Sequence, residues 1–335
     1  MTEERDTTFD RMKGLAIILM VVGHLTDTCR ELIFSFHMPL FFIIAGYFFN
    51  PRPVWPTVKK DASRLLWPYL VLGALPILLI VVRSFTIIPS SQTLSSRISA
   101  LIWGVGWHHR SLYFGKVPAI GTLWFLLALF WTRTFFNLIC KYFRSAWLIG
   151  LVSAVCTFAA IWLDNTLINL PLGVLTGMTA LLFYYSGWAL RRVSGFKRMN
   201  IWLALLCLAV WCAALNWSAL EMAVVYYGDY ASLSMAGALA ATLMLYWILS
   251  KFRLPWLDYC GRISLSILSA HYLLAACGAN KLYSYSSDAV KMGIEFVLIA
   301  ILVILMSQIP LFQKALGLRR ISIKGIFRGI LPRFN

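Results

Sequence analysis

The sequence predicts an all-α polytopic membrane protein with about ten transmembrane helices and cytoplasmic N- and C-termini. Of its 335 residues, 60% are hydrophobic and only 13% are charged, and the mean hydropathy is +0.77. A soluble domain is about half apolar and roughly a quarter charged, so a soluble globular protein does not fit. The apolar runs are continuous, whereas a transmembrane barrel would show short alternating segments. Helical spans are therefore expected, because they satisfy their own backbone hydrogen bonds in lipid.

Ten apolar runs have spanning length. They cover residues 14–29, 33–49, 65–82, 120–139, 146–163, 170–190, 200–216, 232–250, 263–279 and 291–309. The first run is long and reaches Gly23-His24 without a small-residue cleavage site, so we expect it to be retained rather than removed as a signal peptide. At about 20 residues per span, the remainder forms short loops. We therefore expect one transmembrane domain over 1–310 and a basic cytoplasmic tail over 311–335.

The basic residues orient these spans. With a cytoplasmic N-terminus and alternating spans, most of the 30 Lys and Arg residues fall on the inner side, while acidic residues divide almost evenly. This asymmetry follows the positive-inside rule. The net charge of +17 therefore requires no nucleic acid, and the expected partner is the lipid bilayer. We predict a multi-pass protein of the cytoplasmic (inner) membrane, whose basic tail can also contact anionic headgroups.

Neither a metal site nor a disulfide framework is predicted. The seven cysteines are scattered, no two of them form a CxxC pair, and most lie in or beside predicted spans. Small, apolar thiols commonly serve as core residues in such positions. No metal-ligand spacing is present in the sequence.

Two predicted outer segments, 84–119 and 217–231, place aromatic rings beside polar and charged groups. Glu221 and Asp229 lie in the second segment, and Trp124 follows the first at an outer membrane edge. Rings stack on sugar faces and carboxylates bind sugar hydroxyls, so these residues suit a carbohydrate acceptor. An interfacial aromatic belt explains the rings equally well, and both interpretations stay open.

The first span carries three ionisable residues on one face. Lys13 and His24 are separated by about 20° around a helix axis, and Asp10 and His24 by about 40°. His24 lies about 16 Å deeper than Lys13 along the axis. Ionisable groups inside a span are functional candidates by default. The alternative is that Asp10 and Lys13 mark the inner interface and that His24 makes a structural hydrogen bond between helices.

Two later spans also contain histidines. His37 lies near the outer end of the second span, where Pro39 is expected to kink the helix and Gly46 to permit close helix packing. In the ninth span, Ser264 and His271 are seven residues apart and share a helix face, which places His271 near the middle of the membrane.

These residues resemble the motifs of a known family. Asp10-x-x-Lys13-Gly14 leading to Gly23-His24, followed by Phe36-His37-Met38-Pro39-Leu40-Phe41-Phe42, resembles the integral-membrane acyltransferase 3 family, specifically its fucose 4-O-acetylase-like branch. Later motifs follow in the family's order: Arg64-Leu-Leu-Trp-Pro-Tyr69, Leu123-Trp124-Phe125-Leu126, and Gly261-Arg262-x-Ser264 through His271. The resemblance covers roughly residues 9–275.

The resemblance implies an enzyme with about ten membrane helices. Such enzymes move an acyl group, usually acetyl, from cytoplasmic acetyl-CoA to a hydroxyl of a glycan or glycolipid. Acetyl-CoA is then a co-substrate, and no cofactor is permanently bound. One departure concerns the arginines before the Pro-Tyr pair. Family members often have two, three residues apart, whereas this chain has Asp61 in the first place and only Arg64 matches; Lys59 and Lys60 are the candidate substitutes.

The function predicted from the residues and the resemblance is membrane O-acyltransferase. The acceptor would be a surface polysaccharide, its lipid-linked precursor or a glycolipid. His24 would act as general base, and His37 or His271 would orient it or polarise the thioester carbonyl. Direct transfer and a covalent acyl-His24 are both compatible with the sequence. Donor binding is assigned to Asp10, Lys13, Lys60, Arg64, Arg262 and Ser264. Of these, the basic residues Lys13, Arg64 and Arg262 are expected to converge at the inner mouth of a cavity that ends at His24.

Two other function classes are considered. A proton-coupled small-molecule transporter or exporter would use the buried histidines as a proton relay. The lack of carboxylates in the span centres argues against it, since Glu295 alone lies well inside a predicted span. The third class is a non-catalytic membrane scaffold.

Overall fold

The computed structural model describes residues 6–84, 94–113, 115–283 and 285–320, and these are almost entirely helical. The first helices are α1 (Thr8–Leu25), α2 (Arg30–Phe34), α3 (His37–Tyr47), α4 (Val54–Asp61), α5 (Trp67–Ser84), α6 (Leu94–Trp103) and α7 (Trp124–Tyr142). A π-helical turn, Ala62–Leu66, joins α4 to α5. A small antiparallel hairpin precedes α7 and pairs β1 (His109–Ser111) with β2 (Gly115–Val117).

The helices that follow are α8 (Ala146–Asn165), α9 (Val174–Thr179), α10 (Leu181–Arg192), α11 (Ile201–Trp217), α12 (Ala231–Leu249), α13 (Pro255–Arg262), α14 (Ser264–Ala276), α15 (Asp288–Met306) and α16 (Pro310–Leu316). Each predicted span overlaps at least one helix. Among the described residues, four helical stretches are long and apolar enough to cross a membrane: Val54–Val82, which runs from α4 into α5, Ala146–Asn165, Ala231–Leu249 and Asp288–Met306. The helical architecture is therefore confirmed for the described residues and is compatible with a multi-pass membrane protein. Ten crossings and cytoplasmic termini stay predictions.

The expected second span is interrupted. The helix α2 ends at Phe34 and α3 begins at His37, so Pro39 lies in the first turn of α3. Proline is tolerated there because the first helical N–H groups have no intrahelical acceptor. The predicted kink at Pro39 is therefore wrong, since the chain changes direction before the helix begins.

Large apolar side chains cover the outward faces of several helices. Leu78 on α5, Trp162 on α8, Trp202 on α11 and Val297 on α15 are all exposed. A soluble monomer rarely exposes large contiguous apolar patches, whereas a helix in lipid places such residues outside. These faces are consistent with contact with the acyl chains of a bilayer.

The helix α1 lies at the centre of the bundle and contacts α3, α12, α13, α14 and α15. Its contact with α13 is between backbones. A Cβ atom at Gly14 would lie 2.0 Å from the carbonyl oxygen of Leu257, and one at Gly261 would lie 1.7 Å from that of Asp10. Both glycines are therefore required by the close approach of the two helices.

Close backbone packing at a glycine also joins α3 to α10, where a Cβ atom at Gly46 would lie 1.9 Å from the carbonyl oxygen of Tyr184. The close approach expected at Gly46 is thus observed.

Beyond α15, the side chain of Phe312 on α16 is buried, and α16 contacts α5. The beginning of the predicted tail therefore packs on the bundle. Its basic residues Lys324, Arg328 and Arg333 lie outside the described residues.

Candidate active site

His24 lies near the end of α1, and its side chain is exposed to a cavity. Its Nδ1 atom is 2.7 Å from the carbonyl oxygen of Met20. A carbonyl oxygen only accepts hydrogen bonds, so Nδ1 carries the proton in the neutral ring. Nε2 of His24 is therefore left as a proton acceptor, which is the state that a general base requires.

His37, the first residue of α3, is held in the same way. Its Nδ1 atom donates to the carbonyl oxygen of Ile33 at 2.8 Å, and its ring is buried. The ring of Phe34 lies between the two histidines, with centroids 5.4 Å from His24 and 4.9 Å from His37. Both histidines line the same cavity.

His271, on α14, is the nearest histidine to His24. The two ring centroids are 5.3 Å apart with an angle of 65° between the planes, which is an edge contact. Nδ1 of His271 is 2.8 Å from Oε1 of Glu295 on α15, and the hydroxyl of Tyr283 donates to Oε2 of the same carboxylate. Burial, with the hydrogen bond to Glu295, raises the pKa of Tyr283 above its usual range. Its hydroxyl therefore stays protonated as a donor at neutral pH.

The three histidines line a cavity of about 780 Å³. Its wall also includes Arg30, Arg97, Trp107, His108, Thr122, Trp124 and Glu221. The hydroxyl oxygen of Thr122 is buried and has no hydrogen-bond partner among the described residues. Aromatic rings and a carboxylate that line the same cavity suit a polyhydroxylated ligand.

The predicted acceptor-side residues divide into two groups. Trp124 and Glu221 line the cavity, whereas Asp229 is exposed and is not among the lining residues. Glu221 is 3.0 Å from Arg30, whose guanidinium also lies over the rings of Phe34 at 5.0 Å and Trp107 at 5.9 Å. Arg30 and Glu221 therefore form an ion pair on the wall of the cavity.

None of the six predicted donor-binding residues lines this cavity. Asp10 is buried and pairs with Lys13 at 2.7 Å. The side chains of Lys60, Arg64 and Arg262 are exposed, and Ser264 is half-buried. The expected convergence of Lys13, Arg64 and Arg262 on a cavity ending at His24 is therefore not seen. The backbones of α1 and α13 meet at Gly14 and Gly261, along the first turns of α1.

The structure also explains the departure at Asp61. Its buried carboxylate is 2.8 Å from Nε of Arg133, which also donates to the hydroxyl of Tyr184 at 3.4 Å. Removing one partner of a buried ion pair leaves an uncompensated charge, so the two residues depend on each other. The ion pair of Asp61 with Arg133 thus joins α4 to α7. It also explains how the predicted span 120–139 can contain Arg133, a charged residue.

Sequence reasoning missed four residues of the site. Glu295 was visible as the one carboxylate well inside a predicted span, but its pairing with His271 was not. Arg30, Arg97 and Tyr283 carried no signal, because each lies between predicted spans, where charged and aromatic residues are common. Among the described residues, no group of three or more His, Cys, Asp or Glu side chains is arranged to hold a metal ion.

Comparison with known proteins agrees with the motifs. A family model described as an acyltransferase domain matches residues 6–311. The chain is 25% identical over 316 residues to the nodulation protein NolL of Mesorhizobium japonicum, covering 85% of this chain and 76% of that protein. A shorter match, 46% identical over 56 residues, is to NolL of Sinorhizobium fredii and covers 13% of this chain and 15% of that protein. No solved structure matches the chain.

Proposed function

Because the chain belongs to the acyltransferase family whose model matches residues 6–311, we propose that it is a membrane O-acyltransferase that uses acyl-CoA, with acetyl as the acyl group. The acceptor is a hydroxyl of a surface polysaccharide, its lipid-linked precursor or a glycolipid. One observation carries the proposal: His24 faces a polar, aromatic cavity with Nε2 free to accept a proton, beside a second histidine paired to a carboxylate.

The chemistry begins at the acceptor hydroxyl. Nε2 of His24 takes its proton while the oxygen attacks the thioester carbonyl, forming a C–O bond and breaking the C–S bond. The CoA thiolate then receives a proton and leaves as the thiol. A positioned general base of this kind contributes about 10²–10⁴-fold in rate.

The acceptor binds in the cavity. Trp107 and Trp124 offer aromatic rings to a sugar, and Glu221 offers a carboxylate to its hydroxyls. Polar groups placed on an apolar wall fix the orientation of a ligand. The inner membrane location and the glycan acceptor are parts of the same proposal.

The donor approaches from the cytoplasmic side. Lys13, Lys60, Arg64 and Arg262 supply cations for the CoA phosphates, with Asp10 and Ser264 beside them. Lys13 and His24 share α1 and are separated by about 16 Å along its axis. The pantetheine arm is long enough to bridge that distance, so phosphates at one end of α1 are compatible with a thioester at the other.

The proposal is tested with purified protein in detergent, radiolabelled acetyl-CoA and a glycan-containing lipid extract. We expect label to enter the glycan fraction and to be released by mild alkali, as an ester is. If the label stays on CoA under all acceptor conditions, the transferase assignment is wrong. Uptake of label into protein-containing vesicles without covalent transfer would instead identify a transporter.

Replacing Arg64 by alanine should raise the acetyl-CoA concentration needed for half-maximal rate by about 10- to 100-fold. One charge-assisted hydrogen bond to phosphate is worth about 1.5–3 kcal/mol, and 1.4 kcal/mol is about one decade of affinity. Arg144→Ala is the matched control, because Arg144 is also exposed and on the predicted inner face. A donor titration in which Arg64→Ala and Arg144→Ala both match the wild type would mean that Arg64 only anchors its helix at the headgroups.

A further inference from the structure

Three polar side chains form a continuous chain behind His24. The hydroxyl of Tyr283 donates to Glu295, whose other oxygen accepts from Nδ1 of His271 at 2.8 Å. The ring of His271 then meets the ring of His24 edge-on, with centroids 5.3 Å apart. Tyr283, Glu295 and His271 are each at least nine-tenths buried. His24, at the end of the chain, is exposed, and both His24 and His271 line the cavity.

Glu295 occupies a position where a carboxylate costs folding free energy, which suggests that it has a function at the site. It lies within the apolar helix α15 and is only 1% exposed. A carboxylate in such surroundings is expensive to keep ionised, and a phenol and an imidazole are its hydrogen-bond partners here. Each carboxylate oxygen therefore has a donor, and one of those donors touches the proposed base.

We propose that Glu295 and Tyr283 are positioning residues that hold His271 with its proton on Nδ1, so that Nε2 of His271 receives the proton that His24 removes from the acceptor. The inference rests on the proposed function and adds a second proton-holding group to it. His24 is backed by the neutral carbonyl of Met20, whereas His271 is backed by a carboxylate. As in a catalytic triad, the carboxylate fixes the tautomer of the ring that it touches and balances the charge of a proton that reaches the other ring nitrogen, so His271 is placed to take the proton from His24.

The acceptor proton passes to Nε2 of His24 as the new C–O bond forms and the C–S bond breaks. It then crosses the edge contact to Nε2 of His271, where the carboxylate of Glu295 balances the charge. Return of the proton to the CoA thiolate gives the free thiol and restores both neutral rings. This sequence lets His24 be neutral again before the next acceptor binds.

Glu295→Gln tests the proposal, because the amide keeps the size of the side chain, removes its charge and can donate to Nδ1 of His271. If the amide N–H donates to Nδ1 of His271, the proton of that ring moves to Nε2, which can then no longer accept a proton from His24. We therefore expect kcat to fall by about 10²–10⁴-fold. The KM for acetyl-CoA should change by less than about threefold, since the donor phosphates are remote. Tyr283→Phe removes one hydrogen bond to the carboxylate and should lower kcat by about three- to tenfold.

Matched controls separate the relay from general damage. Glu31→Gln and Tyr285→Phe make the same chemical changes at exposed residues, and both should keep the wild-type kcat. In a His271→Ala background, Glu295→Gln should lower kcat by less than about a further threefold, because residues that act as a unit are not additive. A carboxylate that merely supported the fold would lower activity in both backgrounds equally.

Two outcomes overturn the inference, and they are distinguishable. If Glu295→Gln has the wild-type kcat and His24→Ala is inactive, the relay is wrong and the proposed function is still supported. No acyl transfer by the wild-type protein removes the proposed function and the relay with it. Size-exclusion profiles in detergent establish that each variant is folded, and Tyr283→Phe supplies a second measurement should Glu295→Gln not fold.

Discussion

Replacing His24 by alanine should lower the rate of acyl transfer by about 10²–10⁴-fold while the protein still inserts and folds. The side chain is exposed to the cavity, and its hydrogen bond is to the carbonyl oxygen of Met20 in its own helix. Truncation therefore removes the proton acceptor without opening a buried void. The measurement is the initial rate of label transfer from acetyl-CoA to the glycan fraction, at equal amounts of monodisperse protein.

His108→Ala is the comparison for that experiment. His108 lies on the cavity wall, where its Nδ1 atom accepts from the backbone N–H of Ala119 in the loop before α7. We expect a mild loss, because this ring supports a loop through its hydrogen bond with Ala119. A His24→Ala variant that kept more than about a tenth of the wild-type rate would end the general-base assignment.

Gly261→Ala should prevent the bundle from assembling. The added Cβ atom would lie 1.7 Å from the carbonyl oxygen of Asp10, a backbone atom on α1 that has no rotamer to change. Overpacking against side chains typically costs about 1–3 kcal/mol and occasionally more, and a backbone contact offers less relief. Because α1 also carries His24, any shift that accommodates the methyl group displaces the base from His271.

We expect little monodisperse Gly261→Ala protein after extraction and a melting temperature well below that of the wild type. Gly293→Ala is the matched control, because Gly293 is also helical and a Cβ atom there meets nothing within 4 Å. That substitution should be neutral or slightly stabilising, since alanine favours helix more than glycine does. Equal melting temperatures for the two variants would show that α1 and α13 do not pack through Gly261.

Much of the architecture follows from local properties of the chain. Hydropathy and the continuity of apolar runs predicted helices, and each predicted span overlaps at least one. His24, His37 and His271 were identified as candidates because each is a polar residue within an apolar run. All three line one cavity. Family motifs are local as well, and the match of residues 6–311 confirms the resemblance to the acyltransferase family.

The sequence by itself therefore determined the helical membrane architecture, the family and the candidate histidines. Each of these depends on a single segment, through its hydrophobicity or through a motif within it. Only the tertiary structure decided which charges meet: Glu295 with His271, Arg30 with Glu221, and Asp61 with Arg133. None of Lys13, Arg64 and Arg262 lines the cavity, although their predicted places at the cytoplasmic membrane edge had suggested that they converge at its mouth. Such pairings join segments remote in the chain, and they depend on how helices pack through glycines and aromatic rings. Periodicity within one helix specifies the face that a residue occupies but carries no information about the partner that the face will meet.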